Sequence, residues 1–255
     1  MLKLDDINYS AHSDSLITKD ETKQILFEIS LEVNGGEIVG IVGESGSGKT
    51  TLAKILSGIL KPDSGKIIYR RKVTENISTE LSIQILFQNS IELINPFRKV
   101  EDVLAEVIKK YSSENTNDKI EKMLKMVGLP RSILSKFGSN LSGGERQRIA
   151  LLRLLAADPS LLIIDEPFSA QDIESQLNLM KLLKRINEVS NVTIICVSHD
   201  LQIISKFTDK LVVLKSGRII EEGPTTQVMT YPQHDYTKFM INSMNYNLSY
   251  DDFNM

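Results

Sequence analysis

Only one of the 255 residues is cysteine, so no disulfide framework can form and the chain suits a reducing compartment. That residue, Cys196, lies inside the apolar run 192–197, where it reads as a small buried hydrophobe and not as a reactive thiol. Long apolar runs are lacking too: no stretch approaches the roughly 18 residues of a membrane span. The opening MLKLDDINYS carries acids where a signal peptide carries positive charge, and it lacks an apolar core. The expectation is a soluble chain that, if it works at a membrane, docks onto a separate subunit. An excess of one charge is also missing. With 33 acidic against 30 basic residues the net charge is -3, too weak a field to argue for nucleic acid or anionic lipid as a partner. No internal repeat marks a solenoid or propeller.

What is present is ordinary for a globular protein, with 41% hydrophobic and 25% charged residues. The length suits one large α/β domain, or a main domain carrying a smaller insertion, and a single domain over residues 1–255 is the expectation. Short runs rich in Val and Ile recur as EIVGIVG (37–43), LLIID (161–165), VTIICVS (192–198) and KLVVL (210–214). Helical patterns separate several of them. Their hydrophobicity is continuous, which points to strands buried on both faces of a mostly parallel sheet. KLVVLKSGRIIEEG carries the turn signal Ser216-Gly217 between two strand-like runs and reads as an antiparallel hairpin. LKLDDINYS and ILFEISLEV alternate apolar and polar residues and read as antiparallel N-terminal strands. Over residues 89–158 the character changes: KVEDVLAEVIKKY and DKIEKMLKMVGL are amphipathic helices joined by the polar stretch SSENTND. This region is predicted to be a helical insertion, and residues 224–255 a C-terminal tail.

Residues 43–50, Gly43-Glu44-Ser45-Gly46-Ser47-Gly48-Lys49-Thr50, fit G-x-x-x-x-G-K-[ST] between a predicted strand and the helical run TLAKILSGIL. Gly43, Gly46 and Gly48 let the backbone curl so that successive N–H groups and a helix N-terminus face phosphate oxygens. Lys49 adds a cation at the β- and γ-phosphates and Thr50 a hydroxyl for Mg²⁺; Thr51 completes the nucleotide-binding set. The loop alone says that a nucleoside triphosphate binds, and would suit a kinase or a GTPase equally. LLIID-Glu166 then places Asp165 and Glu166 at the end of a buried strand, where α/β sheets bind ligands. A pair of acids there is often only a solvated turn. Behind a phosphate loop, Asp165 is expected to hold Mg²⁺ and Glu166 to orient or deprotonate the attacking water.

Leu141-Ser142-Gly143-Gly144-Glu145-Arg146-Gln147-Arg148 precedes the helical run IALLRLLAADP. Two glycines and a serine at a helix start form a second anion site, and Ser142 can also simply cap that helix. Here the chain resembles the ATP-binding cassette (ABC) family, whose signature is LSGG followed by Gln or Glu. The resemblance spans nearly the whole chain and implies a P-loop NTPase fold of α/β class. In it the mostly parallel core is joined by an antiparallel N-terminal β subdomain and an inserted α-helical subdomain. It implies a head-to-tail dimer in which Ser142, Gly143, Gly144 and Glu145 of one subunit close on ATP held by the loop of its partner. Gln88, in ILFQN, matches the glutamine that senses Mg²⁺ and γ-phosphate. His199, in CVSHD, matches the histidine that contacts γ-phosphate and fixes the general base. Ser169-Ala-Gln-Asp172 matches the loop after the carboxylates, with Gln171 where the family usually has leucine. Tyr9 is the candidate for the aromatic that stacks on adenine.

Two segments are similar to the oligopeptide, dipeptide and nickel importer branch: NSIELINPFRKV after Gln88, and the tail GPTTQVMTYPQHDYTKFMINSM, where the familiar His-Pro-Tyr-Thr has become His234-Asp235-Tyr236-Thr237. The resemblance implies an ATPase at the cytoplasmic face of the membrane, coupling hydrolysis to uptake of peptides, nickel or metal chelates. Its partners would be a second ABC ATPase subunit, with a heterodimer favoured, two transmembrane permease subunits and an extracytoplasmic substrate-binding protein. The alternatives are an exporter motor and a soluble mechanical ATPase.

Overall fold

Runs that are apolar throughout and runs that alternate end up in different sheets. The structure, a computed structural model, describes residues 2–12, 22–69, 83–87, 94–112, 114–169 and 171–244. In chain order the strands are β1 (Leu2–His12), β2 (Thr22–Val33), β3 (Ile38–Val42), β4 (Ser64–Tyr69), β5 (Ile83–Leu86), β6 (Leu161–Asp165), β7 (Thr193–Ser198), β8 (Lys210–Lys215) and β9 (Arg218–Pro224). The helices are α1 (Lys49–Leu56), α2 (Val100–Tyr111), α3 (Thr116–Val127), α4 (Gly143–Leu155), α5 (Ile173–Ser190), α6 (Leu201–Ile204), α7 (Thr225–Thr230) and α8 (Asp235–Met244). They fall into two compact units, Met1–Ile77 with Ile195–Met255 and Ser78–Ile194, the division passing through β7.

The first unit holds an antiparallel sheet of order β2-β1-β4. Its apolar residues change phase: Leu2 and Leu4 are buried, and then Ile7; Leu26 is buried, and then Ile29, Leu31 and Val33. A three-residue step would turn the strand's apolar set toward solvent unless the ladder gained a residue. Asp6 and Glu28 absorb the step with φ of 53° and 52°, and the register shifts beside both. The amide of Asp6 donates to Ser30 Oγ at 3.0 Å and that of Glu28 to Asn8 Oδ1 at 3.0 Å. Neither bulge leaves its N–H unpaired.

The same unit carries the order β7-β3-β8-β9. β3 is buried at every residue and pairs in parallel with β8, as the continuous hydrophobicity predicts. Lys215 faces Arg218 across the two-residue turn Ser216-Gly217, whose φ values of 46° and 77° match the twist of the antiparallel β8–β9 hairpin. Cys196 is fully buried.

In the second unit β5 and β6 pair in parallel and helices dominate. Val100, Val103, Leu104 and Ile108 line the buried stripe of α2, and Ile120, Met123, Leu124 and Val127 that of α3. Each such side chain removed from water stabilises the packing of α2, α3 and α4 by about 1.5–3 kcal/mol. Asn115 caps α3 by accepting from the amides of Asn117 and Asp118, and Gly128 ends it at φ 67°. Among the described residues no helix is long and apolar enough to cross a membrane.

Candidate functional site

In the first unit, β3 runs into the loop at Gly43, and α1 starts at Lys49 behind Gly48, which has φ 103° and no side-chain cap. The first amides of α1 are thus left to whatever approaches the loop, at the positive end of the helix dipole. Lys49 Nζ donates to the carbonyls of Gly43 at 2.9 Å and Glu44 at 2.8 Å, which places the ammonium within the curl. Ser47 Oγ is buried with no hydrogen-bond partner. Leaving a hydroxyl in that state costs about 1–3 kcal/mol. The loop therefore has the donors and the cation that a triphosphate needs.

The β8–β9 turn backs this loop. Gly217 N–H donates to Ser47 O at 3.0 Å, and Gly217 O accepts from Phe27 N–H at 2.9 Å. A cleft of about 620 Å³ opens beside it, with Gly46, Gly48, Lys49, Thr50 and Thr51 on one side. Its other side is Lys23, Gln24, Ile25 and Phe27 of β2 with Ser216 and Gly217. The β2 residues were not singled out from sequence, because they reach the cleft through strand pairing and not through any local motif. Glu44 and Ser45 are exposed at the loop's outer edge. Tyr9 lies on β1 opposite Leu26 and does not line the cleft; the aromatic there is Phe27, with the Arg218 guanidinium 5.0 Å from its ring centroid. His199 is exposed just beyond β7. The neighbouring Asp200 fixes this corner: its amide donates to Ser198 Oγ at 3.1 Å and its carboxylate accepts from Ile203 N–H at 3.0 Å, capping α6.

The second unit carries the carboxylates. Asp165, 5% exposed, ends the fully buried β6. Glu166 follows at φ 52°, a conformation costing a residue with a Cβ roughly 1–2 kcal/mol and found where surrounding bonds over-determine it. Those bonds are present. Glu166 O accepts from Ser169 Oγ at 3.0 Å, Pro167 O from Gln171 Nε2 at 2.9 Å, and Phe168 O from Gln176 Nε2 at 3.3 Å. Gln171, the departure from the family's leucine, thus ties down the turn that carries Glu166. Asp172 then caps α5, and the hydrogen bonds from the amide and hydroxyl of Ser175 hold its carboxyl below the usual range.

The signature opens α4 with a capping box: Glu145 N–H donates to Ser142 Oγ at 3.2 Å, and Ser142 N–H to Glu145 Oε2 at 2.8 Å. The capping role of Ser142 is therefore real. Lys136, 2.8 Å from Glu145 Oε1, is the main cause, with the Ser142 amide, of a Glu145 carboxyl held below its ordinary value. Gly143 and Gly144 are exposed, and a Cβ on either would meet nothing within 4 Å. Their first-turn amides have no helical acceptor, so the start of α4 is an open, Cβ-free donor surface. Gln88 lies outside the described residues.

The model of the ABC transporter family matches residues 26–169, more than half of the chain. The oligopeptide transport ATP-binding protein OppF of Lactococcus lactis subsp. lactis is 34% identical over 225 residues, 85% of this chain and 70% of that protein. The probable D,D-dipeptide transport ATP-binding protein DdpF of Escherichia coli is 34% identical over 241 residues, covering 93% and 76%. Among solved structures, a dimeric ATP-binding cassette in a post-hydrolysis state, bound to ADP and Pi, superposes with TM-score 0.69 at 28% identity, covering 88% of this chain and 99% of that one. cbiO1 from Clostridium perfringens, part of the cbiONQ transporter complex, gives 0.76 at 27% identity, covering 100% and 98%. The chain belongs to the ABC transporter family, as a P-loop NTPase of α/β class that binds and hydrolyses ATP to drive such a transporter.

Proposed function

We propose that the chain is one cassette, residues 1–255, of an importer whose cargo is peptides, with residues 89–158 as its helical subdomain and 224–255 as its tail. The observation that carries this is the extent of the likeness to proteins named for oligopeptide and dipeptide transport, which runs over 85% to 93% of the chain and past the end of the family match at residue 169. Such a cassette sits at the cytoplasmic face of the membrane, bound to two permease subunits, a second and different cassette, and an extracytoplasmic binding protein that presents the peptide. Nucleic acid plays no part.

In the catalytic cycle the amides of residues 43–51 and the Lys49 ammonium hold the triphosphate, and Phe27, the aromatic that lines the cleft, takes the place expected of Tyr9 beside adenine. Thr50, Asp165 and Gln88 supply hard oxygen donors suited to Mg²⁺. Mg²⁺, when bound, neutralises charge on the β- and γ-phosphates. Glu166 takes or orients the proton of the attacking water, and His199 contacts the γ-phosphate. Ser142, Gly143, Gly144 and Glu145 present their donor surface to the nucleotide of the partner cassette, so a lone subunit hydrolyses slowly. Purification of the Glu166→Gln variant from its own membranes in mild detergent with ATP tests this. Recovery of two polytopic subunits, a second cassette and a peptide-loaded binding protein supports the proposal; recovery of soluble partners alone overturns it.

A further inference from the structure

Tyr236 belongs to the His234-Asp235-Tyr236-Thr237 segment, which the catalytic cycle leaves unused. We propose that Tyr236 is a positioning residue for ATP binding: its hydroxyl orients the first peptide of the phosphate loop and so links nucleotide binding to the docking of the C-terminal segment. This rests on the reading of residues 43–51 as the loop that holds ATP.

Glu44 N–H donates to Tyr236 Oη at 3.1 Å, across 192 residues of sequence. The carbonyl of the same peptide unit is that of Gly43, and it accepts from Lys49 Nζ at 2.9 Å. One amide is thus gripped at its oxygen by the loop lysine and at its nitrogen by the tail. Hydrogen bonds at the two ends of an amide polarise each other in the favourable sense. If Lys49 turns to a phosphate, the Gly43 oxygen loses that partner, and Tyr236 is then the group that keeps the peptide from rotating.

The tail is built to hold the hydroxyl in place. Glu221 on β9 accepts from the amides of Gln233 at 2.7 Å and His234 at 3.0 Å, and Tyr236 N–H donates to His234 Nδ1 at 3.0 Å. Burial pushes the Glu221 carboxyl up, but the hydrogen bonds it accepts from the tail outweigh this and hold it below its usual range. Lys215 Nζ sits 4.5 Å from the Tyr236 ring centroid, and Lys215 directly precedes the Ser216-Gly217 turn that bonds to Ser47 O. α8 also packs on α6, which begins two residues after His199. Tail, hairpin turn and phosphate loop are one local structure.

Tyr236→Phe keeps the ring under Lys215 and deletes only the acceptor. A net hydrogen bond is worth a factor of about 2–10, so the full-length Tyr236→Phe chain should bind ATP about 2- to 10-fold more weakly in a fluorescent-nucleotide titration. By linkage, ATP must in turn stabilise the tail: it should slow hydrogen exchange at Gln233 and His234 in the native chain and much less in Tyr236→Phe. Native ATP affinity in Tyr236→Phe, or tail exchange indifferent to ATP, would overturn the proposal and reduce Tyr236 to packing. Lys49→Ala separates the two levels. If it loses ATP while Tyr236→Phe does not, the loop reading stands and only the Tyr236 proposal falls; if Lys49→Ala binds ATP normally, the loop reading falls and takes the proposal with it.

Discussion

Alanine at Gly43 and alanine at Gly46 add the same methyl group to the same loop, yet the geometry assigns them different costs. At Gly46 φ is 82° and a Cβ would meet nothing within 4 Å, so the penalty is conformational alone, about 1–2 kcal/mol. At Gly43 a Cβ would stand 2.1 Å from the Leu214 carbonyl oxygen and 2.9 Å from Ser47 Oγ, where ordinary contact begins at 3.4 Å. The obstructing oxygen is backbone of β8, which is paired with β3 on one side and β9 on the other, so relief requires a shift of more than a side-chain rotation. Overpacking against a partner that cannot swing away falls at or above the upper end of the usual range, about 3 kcal/mol. Urea unfolding of both variants should place Gly43→Ala at least 1 kcal/mol below Gly46→Ala. Nucleotide titration should show both losing ATP, Gly46→Ala because a residue with a Cβ disfavours the φ of 82° that shapes the loop at the cleft Gly46 lines. Equal stabilities, or a Gly43→Ala chain as stable as the native one, would refute the steric argument.

Restoring the family's leucine with Gln171→Leu removes the bond to Pro167 O but also a buried Gln171 Oε1 that has no partner. These effects oppose each other, so stability should change by less than about 1 kcal/mol, a result that thermal unfolding decides. Ser142→Ala deletes the acceptor of the capping box and should lower unfolding stability by about 0.5–2 kcal/mol; no change in a denaturant titration would mean that the cap is idle. Because the folded pKa of Glu221 is depressed, its hold on the tail is full above the ordinary glutamate range and fades as pH falls through the folded value. Protection of the Gln233 and His234 amides, measured against the intrinsic exchange rate at each pH, should therefore fall only in acid, and in Glu221→Gln that acid-dependent loss of protection should be largely absent.

Much of the fold is visible in the chain because burial on both faces leaves a plain mark: every residue of β3, β6 and β7 is buried. The hairpin is equally legible, since Ser216-Gly217 is a two-residue turn signal with strand-like runs on both sides. The bulges are half legible. The apolar step from Leu4 to Ile7 announces a change of phase, but nothing marks Asp6 as the residue that takes the positive φ. At the site, loop and signature can be read because phosphate chemistry dictates glycine spacing, and the Ser142–Glu145 box because a helix start needs both partners three residues apart. The cleft wall at Lys23, Gln24 and Phe27 cannot be read this way, being brought to the loop by strand register and the Gly217 bonds. The Tyr236–Glu44 bond leaves no local pattern at all.

The most direct test of the account is peptide uptake by proteoliposomes holding this chain with its permeases, partner cassette and binding protein, supplied with ATP on the cassette side. The account predicts ATP-dependent accumulation of a labelled oligopeptide with the native chain. With Glu166→Gln it predicts retained ATP binding and loss of uptake of at least about a hundredfold, the scale of a lost general base. Uptake that survives Glu166→Gln unchanged, or ATP hydrolysis by the complete native assembly with no peptide moved, would contradict it.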